Sequence, residues 1–239
     1  MDFINRDLPS SYEGFKIVFI TDIHYGPFFS LPRLQNLVEK VKVLNPDLII
    51  LGGDYVYKSQ KYIEPCFEVL KELKAPWGVF GVLGNHDHWE NANLTRKSMK
   101  NAGIKLLDNQ AEWLEKEGER IKIGGVGDFY EDFQNLKPTV QDVVEEDLVI
   151  LISHNPDFVD EIKSRKIDLV LSGHTHGGQV TVFGLWAPFS PFTYKPKFRT
   201  GVIETENTVV MVSNGIGTVF LPLRFFARPQ VMIIYLRKE

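Results

Sequence analysis

Short apolar runs alternate with segments of helical spacing through the first hundred residues. Three runs bounded by polar residues or glycine predict buried strands at residues 16–21, 47–51 and 78–83. The segments between and after them predict helices at residues 31–44, 63–73 and 90–102, because their apolar positions recur every three to four residues. Strands that alternate with helices in this way are typical of a layered α/β sheet.

The rest of the chain is richer in strand patterns. Residues 104–108, 112–115 and 119–126 predict short strands joined by turns, with antiparallel pairing. Further strands are predicted at residues 148–152, 168–171, 180–183, 209–212 and 231–236, and one more helix at about residues 156–164. Two sheets packed face to face between layers of helices account for this order of elements.

Composition and charge limit the classes of function. A chain of 239 residues with 44% hydrophobic and 24% charged residues fits one globular domain, which we expect to span residues 1–239. The net charge of −4 argues against a nucleic-acid partner, and the single cysteine, Cys66, cannot form an internal disulfide. No signal peptide or spanning segment is evident, so we expect a cytoplasmic protein that can contact the inner face of the cell membrane.

Polar side chains follow almost every predicted buried strand. They are Asp22 and His24, then Asp54, then Asn85, then His154, and finally His174 and His176. Because ligands gather at the carboxyl ends of strands in open sheets, these residues are expected to converge on one crevice. Carboxylate, amide and imidazole donors without thiolate suit Mn, Fe or Zn, and seven donors exceed the needs of one tetrahedral ion. The pattern therefore predicts a two-metal centre of the kind that catalyses displacement at phosphorus.

The stretch LSGHTHGGQV at residues 171–180 places two histidines two positions apart directly after a predicted strand. In extended backbone, residues two apart point to the same side. On that basis His174 and His176 are expected to face the same crevice and to reach different ions.

The motifs DIH (22–24), GGD (52–54), GNHD (84–87), SH (153–154) and GHTH (173–176) together resemble those of the calcineurin-like metallophosphoesterases. The chain is most similar to a bacterial branch with YkuE- and YaeI-type phosphodiesterases and UDP-2,3-diacylglucosamine diphosphatases. The resemblance implies an αββα sandwich of two mixed sheets. It also implies one ion held by Asp22, His24 and His176, a second held by Asn85, His154 and His174, and Asp54 as the bridge.

The same resemblance implies a mechanism. A hydroxide that bridges two divalent ions, Mn²⁺ in the first place and Fe or Zn as alternatives, would attack phosphorus in line. His86 would then be the catalytic group that is not a ligand, donating a hydrogen bond or a proton to the leaving oxygen. Asp87 would orient the His86 ring.

Two later segments, at about residues 184–201 and 215–230, combine aromatic residues and proline with basic residues. Apolar rings interleaved with cations suit a membrane interface, whereas the alternative is a covering loop and a hydrophobic edge of the core. We expect these loops to select the substrate. The candidate substrate-binding residues are Lys195, Arg199, Asn214, Arg224 and Arg228.

The leading hypothesis is a hydrolase that cleaves a lipid-linked substrate such as UDP-2,3-diacylglucosamine to UMP and the acylated sugar phosphate. A second hypothesis is a general phosphodiesterase or phosphatase acting on soluble nucleotides or phosphoproteins. A third is a non-catalytic scaffold of the same fold. The sequence implies no obligate protein partner.

Overall fold

The computed structural model describes residues 1–187 and 195–239. Its strands, in chain order, are β1 (Asp2–Asn5), β2 (Lys16–Ile20), β3 (Leu48–Leu51), β4 (Val79–Gly81), β5 (Lys105–Leu106), β6 (Gln110–Lys116), β7 (Glu119–Gly125), β8 (Val149–Ile152), β9 (Leu169–Ser172), β10 (Gly201–Glu204), β11 (Val209–Val212) and β12 (Met232–Lys238). The α-helices are α1 (Leu31–Val43), α2 (Ile63–Leu70), α3 (Asn85–Asn101) and α4 (Lys137–Val140). Short 3₁₀ helices occur at Ser10–Tyr12, Gln60–Tyr62, Pro156–Glu161, His176–Gly178 and Pro196–Phe198.

The strands form two six-stranded mixed sheets. The first has the order β1-β12-β2-β3-β4-β5, and the second has the order β10-β11-β9-β8-β7-β6. In the first sheet β2, β3, β4 and β5 run parallel, and in the second β7, β8, β9 and β11 run parallel. The predicted fold of two mixed sheets flanked by helices is confirmed.

The cores follow from the two faces of each strand. In β2, Ile17 and Phe19 pack between the two sheets, whereas Val18 and Ile20 pack outward with the residues of α1, α2 and α3. This alternation places successive side chains on opposite faces of a strand that is buried on both sides. A third cluster covers the outer face of the second sheet, beneath α4 and the Pro156–Glu161 turn. Within the described residues, the helices are all too short or too polar to cross a bilayer.

Several predicted elements differ from the structure. Residues 156–164 form a 3₁₀ helix at Pro156–Glu161 instead of an α-helix, and residues 180–183 make isolated bridges in place of a strand. The predicted strand at 104–108 is reduced to β5, which joins the first sheet parallel to β4. The helix predicted at 90–102 begins at Asn85, so it includes most of the GNHD motif. The antiparallel pairing predicted for the middle of the chain is confirmed for β6 and β7.

Two strands were not predicted. β1 and β10 are four-residue edge strands of the first and second sheets, with partly exposed side chains. Short, half-exposed edge strands carry little hydrophobic signal, which explains why the sequence pattern missed them.

Candidate metal centre

The candidate ligands come together at the carboxyl ends of parallel strands from both sheets. They follow β2, β3, β4, β8 and β9 and are all buried: Asp22, His24, Asp54, Asn85, His154, His174 and His176. Residues separated by more than 150 positions therefore share one crevice, as strand-end placement predicts.

Three side chains converge on one side of this crevice. The Nε2 atoms of His24 and His176 lie 3.0 Å apart, and Asp22 Oδ1 lies 3.3 Å from His176 Nε2 and 3.9 Å from His24 Nε2. Their ligand atoms are close enough together to hold one ion. This is the trio expected to bind the first metal.

Asp54 occupies the middle of the crevice. Its Oδ2 atom lies 3.4 Å from His24 Nε2 on one side and 3.4 Å from His154 Nε2 on the other. A carboxylate at equal distance from two groups of donors is placed to be shared between two ions. Its second oxygen, Oδ1, accepts the backbone N–H of His86 at 2.9 Å.

The second group of donors contains His154, His174 and Asn85. The Nδ1–H of His154 donates to the carbonyl oxygen of Gly52 at 2.7 Å, and because a carbonyl can only accept, the proton belongs on Nδ1. The Nε2 atom of His154 is therefore the ring nitrogen left to face Asp54 Oδ2 in the crevice, and among the described residues it has no hydrogen-bond partner. A metal-binding histidine usually donates its other ring N–H to a carbonyl or carboxylate in this way. Asn85 Oδ1 lies 3.0 Å from His174 Nδ1, so these two donors are also adjacent.

The donor set fits divalent metal ions. It is buried, mixes imidazole with carboxylate and amide oxygens, and leaves His154 Nε2 without a hydrogen-bond partner among the described residues. An unpaired polar atom in a buried site is costly unless a ligand satisfies it. The division of the seven residues between two ions stays a prediction.

The backbone at the candidate ligands is unusual. Asp22, His24, Asp54, His174 and His176 all have positive φ, between 49° and 66°. Left-handed backbone is uncommon for residues other than glycine, and its concentration here indicates that the surrounding structure imposes the conformation. Loop-to-loop hydrogen bonds contribute, since Asp22 N–H donates to Gly53 O and His24 N–H to Asp54 O, each at 3.0 Å.

The expectation of extended backbone through His174 and His176 was wrong. Both residues are left-handed and Thr175 between them is right-handed helical, with φ −77° and ψ −18°. The two imidazoles nevertheless both enter the crevice, because the chain turns tightly after β9 and the Thr175 hydroxyl accepts the Gly177 N–H at 3.2 Å. The turn, and not the twofold repeat of a strand, brings them together.

Opposing effects set the charges in the crevice. Burial would raise the pKa of Asp54, but the imidazoles of His154 and His86 outweigh it and hold that pKa well below its ordinary value. Burial would lower the pKa of His154, but the carboxylate of Asp54 outweighs it and raises that pKa well above its ordinary value. Burial, and then the neighbouring His154, lower the pKa of His174 to about 4. Asp54 therefore stays ionised at the centre of the crevice and pairs with His154, whereas His174 stays neutral.

His86 lies beside the candidate ligands and is 7% exposed. Its ring centroid is 4.7 Å from His24, 5.3 Å from Tyr57 and 4.6 Å from Trp89. The ring is therefore held mainly between other rings at the border of the crevice. This position is compatible with contact to a substrate, and the catalytic role of His86 stays a prediction.

Asp87 has a different set of partners from the one expected. Its carboxylate accepts the backbone N–H groups of Asp54 at 2.8 Å, Tyr55 at 3.0 Å and Gly84 at 2.9 Å. These bonds join the loop after β3 to the start of α3, so Asp87 positions the backbone that carries Asp54. They provide no support for Asp87 as the group that orients the His86 ring.

The candidate substrate-binding residues lie around the later loops. Lys195 pairs with Asp160 at 2.6 Å, and Asn214 Oδ1 accepts the Thr200 hydroxyl at 2.6 Å. Arg228 is exposed. Part of the predicted loop at 184–201, namely residues 188–194, lies outside the described residues.

Two of the candidate cations point inward. Arg199 donates to the carbonyls of Gly177 at 2.9 Å and Gly184 at 2.6 Å. Arg224 donates to the carbonyls of His176 at 3.1 Å and Gly217 at 2.9 Å, and burial lowers its pKa to about 10. Both guanidinium groups therefore stabilise the backbone beside the GHTH turn, which makes them structural residues of the candidate site.

Sequence reasoning missed two aromatic residues at the rim. Trp89 contacts His86, and the ring of Tyr130 lies 6.2 Å from that of His174. The spacing offered a signal for Trp89, because residues three apart in a helix share a face, and α3 includes both His86 and Trp89. Tyr130 lies in a loop after β7, and no local pattern links it to the GHTH motif.

A group of exposed apolar side chains lies on the segments that flank Arg224 and the GHTH turn. We call this group the apolar surface; each of its members is between 43% and 83% exposed: Val182, Phe183, Leu185, Trp186, Phe220, Leu221, Leu223, Phe225 and Phe226. Its two segments contact each other through the Phe183 and Phe226 rings, 5.6 Å apart, and through a bond from Thr181 N–H to Phe225 O at 2.9 Å. The Phe220 N–H also donates to the Tyr57 hydroxyl at 2.9 Å, which connects the surface to the crevice.

Comparisons with known proteins agree with this geometry. Residues 15–178 match the family model of the calcineurin-like phosphoesterases. The chain is 30% identical over 234 residues to the uncharacterized metallophosphoesterase YkuE of Bacillus subtilis strain 168, covering 96% of this chain and 82% of that protein. It is 32% identical over 226 residues to the phosphodiesterase YaeI of Escherichia coli K12, covering 93% of this chain and 82% of that protein.

Solved structures support the fold. The NAD nucleotidase NadN of Haemophilus influenzae matches with a TM-score of 0.55 at 16% identity, over 84% of this chain and 50% of that one. A 5′-nucleotidase precursor from Thermus thermophilus matches with a TM-score of 0.54 at 14% identity, over 93% of this chain and 54% of that one. At these identities the likeness concerns the fold alone.

Proposed function

We propose that this chain, which belongs to the calcineurin-like phosphoesterase family and is a phosphoester hydrolase, hydrolyses a lipid-linked phosphodiester or pyrophosphate. UDP-2,3-diacylglucosamine is the model substrate, and its products are UMP and the acylated sugar phosphate. The observation that carries the lipid part is the apolar surface, which adjoins the crevice.

The metal-binding part of the proposal uses the buried donors. Asp22, His24 and His176 would hold one ion, Asn85, His154 and His174 the other, and Asp54 would be shared between them. Divalent ions, with Mn²⁺ the first choice, supply Lewis-acid activation of water and neutralise charge on the phosphate oxygens.

The residues of the chain itself contribute position and proton transfer. His86 borders the crevice, its backbone N–H donates to Asp54 Oδ1 at 2.9 Å, and its ring would donate to the leaving oxygen. Asp87 stabilises the same region by accepting three backbone N–H groups. The rings of His24 and Tyr57 pack beside the His86 ring, with centroids 4.7 and 5.3 Å away.

The apolar surface supports action at a membrane. Monomeric proteins seldom expose so many large apolar side chains next to one another without an interaction that uses them. Aromatic and branched side chains can enter the headgroup region, and the exposed Arg228 is available to meet anionic headgroups. An acyl chain of the substrate would then remain close to the lipid while its pyrophosphate reaches the crevice.

The test measures UMP release from UDP-2,3-diacylglucosamine in detergent by the full chain with Mn²⁺, beside hydrolysis of bis(p-nitrophenyl) phosphate. We expect both substrates to be cleaved. We expect His86→Ala to reduce both activities about 100-fold or more while bound metal is retained. Cleavage of the soluble diester without UMP release would overturn the lipid assignment in favour of a general phosphodiesterase. A metal-loaded chain that cleaves no phosphoester would favour the scaffold hypothesis.

A paired substitution tests the membrane part. Leu185→Ser with Phe226→Ser removes two exposed members of the apolar surface, and Val43→Ser removes an exposed apolar residue at the end of α1. We expect the first pair to reduce sedimentation with anionic vesicles and to slow UMP release, with hydrolysis of the soluble diester unchanged. The Val43 control should behave as the original chain, and equal vesicle binding by all three proteins would contradict membrane contact.

A further inference from the structure

Trp89 and Tyr130 border the metal centre with half of their surfaces free. Trp89 is 59% exposed and its ring lies 4.6 Å from His86, whereas Tyr130 is 49% exposed and its ring lies 6.2 Å from His174. Neither ring belongs to the candidate ligand set or to the apolar surface.

The orientation of Trp89 is fixed by a neighbouring loop. Its indole Nε1–H donates to Glu131 Oε1 at 2.7 Å. The backbone N–H groups of Tyr130 and Glu131 both donate to Asp128 Oδ1, at 3.0 and 3.1 Å, so one turn sets the position of both residues. An ion pair of 3.0 Å between Arg96 and Asp132 ties this turn to α3. A ring that is already oriented loses little conformational freedom when a ligand stacks on it.

We propose that Trp89, assisted by Tyr130, is a specificity-determining residue that stacks on the planar base of a nucleotide portion of the substrate. The inference rests on the proposed function, because it places the phosphate of that nucleotide in the crevice beside His86. Bases of every kind have a π face, so stacking on an exposed indole recognises the presence of a base more than its identity.

The surroundings of Trp89 favour a base over an acyl chain. The polar edge of the indole is bonded to a carboxylate, and Asp128, Asp132 and Arg96 lie in the same turn or pair with it. A hydrocarbon chain next to these charges would desolvate them without replacing their hydrogen bonds, whereas the polar edge of a base can bond to such groups. The apolar surface is the separate region that we propose to contact acyl chains.

Equilibrium binding separates the contribution of the base from that of the phosphate. The Mn²⁺-loaded full chain is titrated calorimetrically with UMP and with ribose 5-phosphate, which share the phosphate and the sugar but not the base. We expect UMP to bind about tenfold or more tightly than ribose 5-phosphate, as stacking of one base supplies. Trp89→Ala should bring this ratio close to one with ribose 5-phosphate affinity unchanged, and Trp89→Phe should retain most of it.

Trp186→Ala is the matched control, since Trp186 is exposed to a similar extent, 65%, but belongs to the apolar surface. It should leave the ratio unchanged. Equal binding of the two compounds by the original chain, or an undiminished ratio in Trp89→Ala, would overturn the inference while hydrolysis of bis(p-nitrophenyl) phosphate continued. If the chain bound neither compound and hydrolysed no ester, the proposed function would fail together with it.

Discussion

Asp108 is a buried carboxyl whose ionisation should weaken the fold as the pH rises. Its side chain is 6% exposed, its Oδ1 atom accepts the Leu83 N–H at 3.0 Å, and Arg96 Nη2 lies 3.6 Å from Oδ2. Burial raises the pKa of Asp108 from 3.8 to about 7, against the opposing effects of the Leu83 N–H and Arg96. The Asp108→Asn substitution keeps an acceptor for Leu83 but cannot ionise.

The magnitude follows from linkage. A carboxyl whose pKa is higher in the folded state keeps its proton there after the unfolded chain has lost it. Its contribution to the free energy of unfolding therefore falls between about pH 4 and pH 7 and is constant above that range. Each unit of difference in pKa is worth about 1.4 kcal/mol, so the rise of about 3 units sets a ceiling of about 4 kcal/mol. Relative to that of the original chain, the free energy of unfolding of Asp108→Asn should rise by about 1 kcal/mol or more, up to this ceiling, between about pH 4 and pH 8.

Urea unfolding measures this gain. The metal-free chain is unfolded at several values between about pH 4 and pH 8, so that pH-dependent metal binding does not contribute. Loss of the Arg96 contact shifts the variant by a constant amount, and the prediction concerns the slope with pH. Asp2→Asn, which removes an exposed carboxylate paired with Arg237, should show no such slope. A stability difference for Asp108→Asn that is flat or decreases with pH would refute the reasoning.

Three further predictions concern the metal centre. Gly177 has φ +62°, and a Cβ there would lie 2.2 Å from Asn214 Oδ1, whereas Gly118 has φ +82° and open space around it. Gly177→Ala should therefore lower the free energy of unfolding by more than Gly118→Ala, for which we expect about 1 kcal/mol. Equal drops in melting temperature for the two variants would contradict the clash. Asp54→Asn keeps the shape of the side chain between the two donor groups but removes its charge. It should lower the metal content measured by mass spectrometry, and an unchanged metal content would argue against Asp54 as a ligand shared by two ions. Chelation should lower the melting temperature, because an ion at about 100 times its dissociation constant stabilises the folded state by about 2.7 kcal/mol; an unchanged melting curve would count against the site.

The hydrogen-bond partners of Asp87 and Arg224 could not be predicted from the sequence motifs. The motif suggested Asp87 as a partner of the His86 ring, yet its carboxylate accepts three backbone N–H groups. Arg224 was a candidate for substrate contact, yet its guanidinium donates to backbone carbonyls beside His176. In both cases the residue type fixed the hydrogen-bonding capacity, but the folded backbone decided which groups use it.

The sequence by itself determined the layered α/β fold and the chemistry of the candidate site. Unbroken apolar runs located β2, β3, β8 and β9, because a strand buried on both faces must be apolar almost throughout. The motif order predicted that the candidate donors would gather at the carboxyl ends of parallel strands, and the structure brings them together there. These features are local in the chain, and a sequence displays them directly.

Only the tertiary structure decided the features that depend on distant pairs. Residues 180–183 form isolated bridges in place of a strand, and those of Val180 reach Phe225 and Phe226, more than 40 positions away. The left-handed backbone of the candidate ligands, the position of Asp54 between His24 and His154 and the placement of Tyr130 beside His174 all arise where loops from different strands meet. A pattern of neighbours along the chain cannot show them, because their energies come from contacts between residues dozens of positions apart.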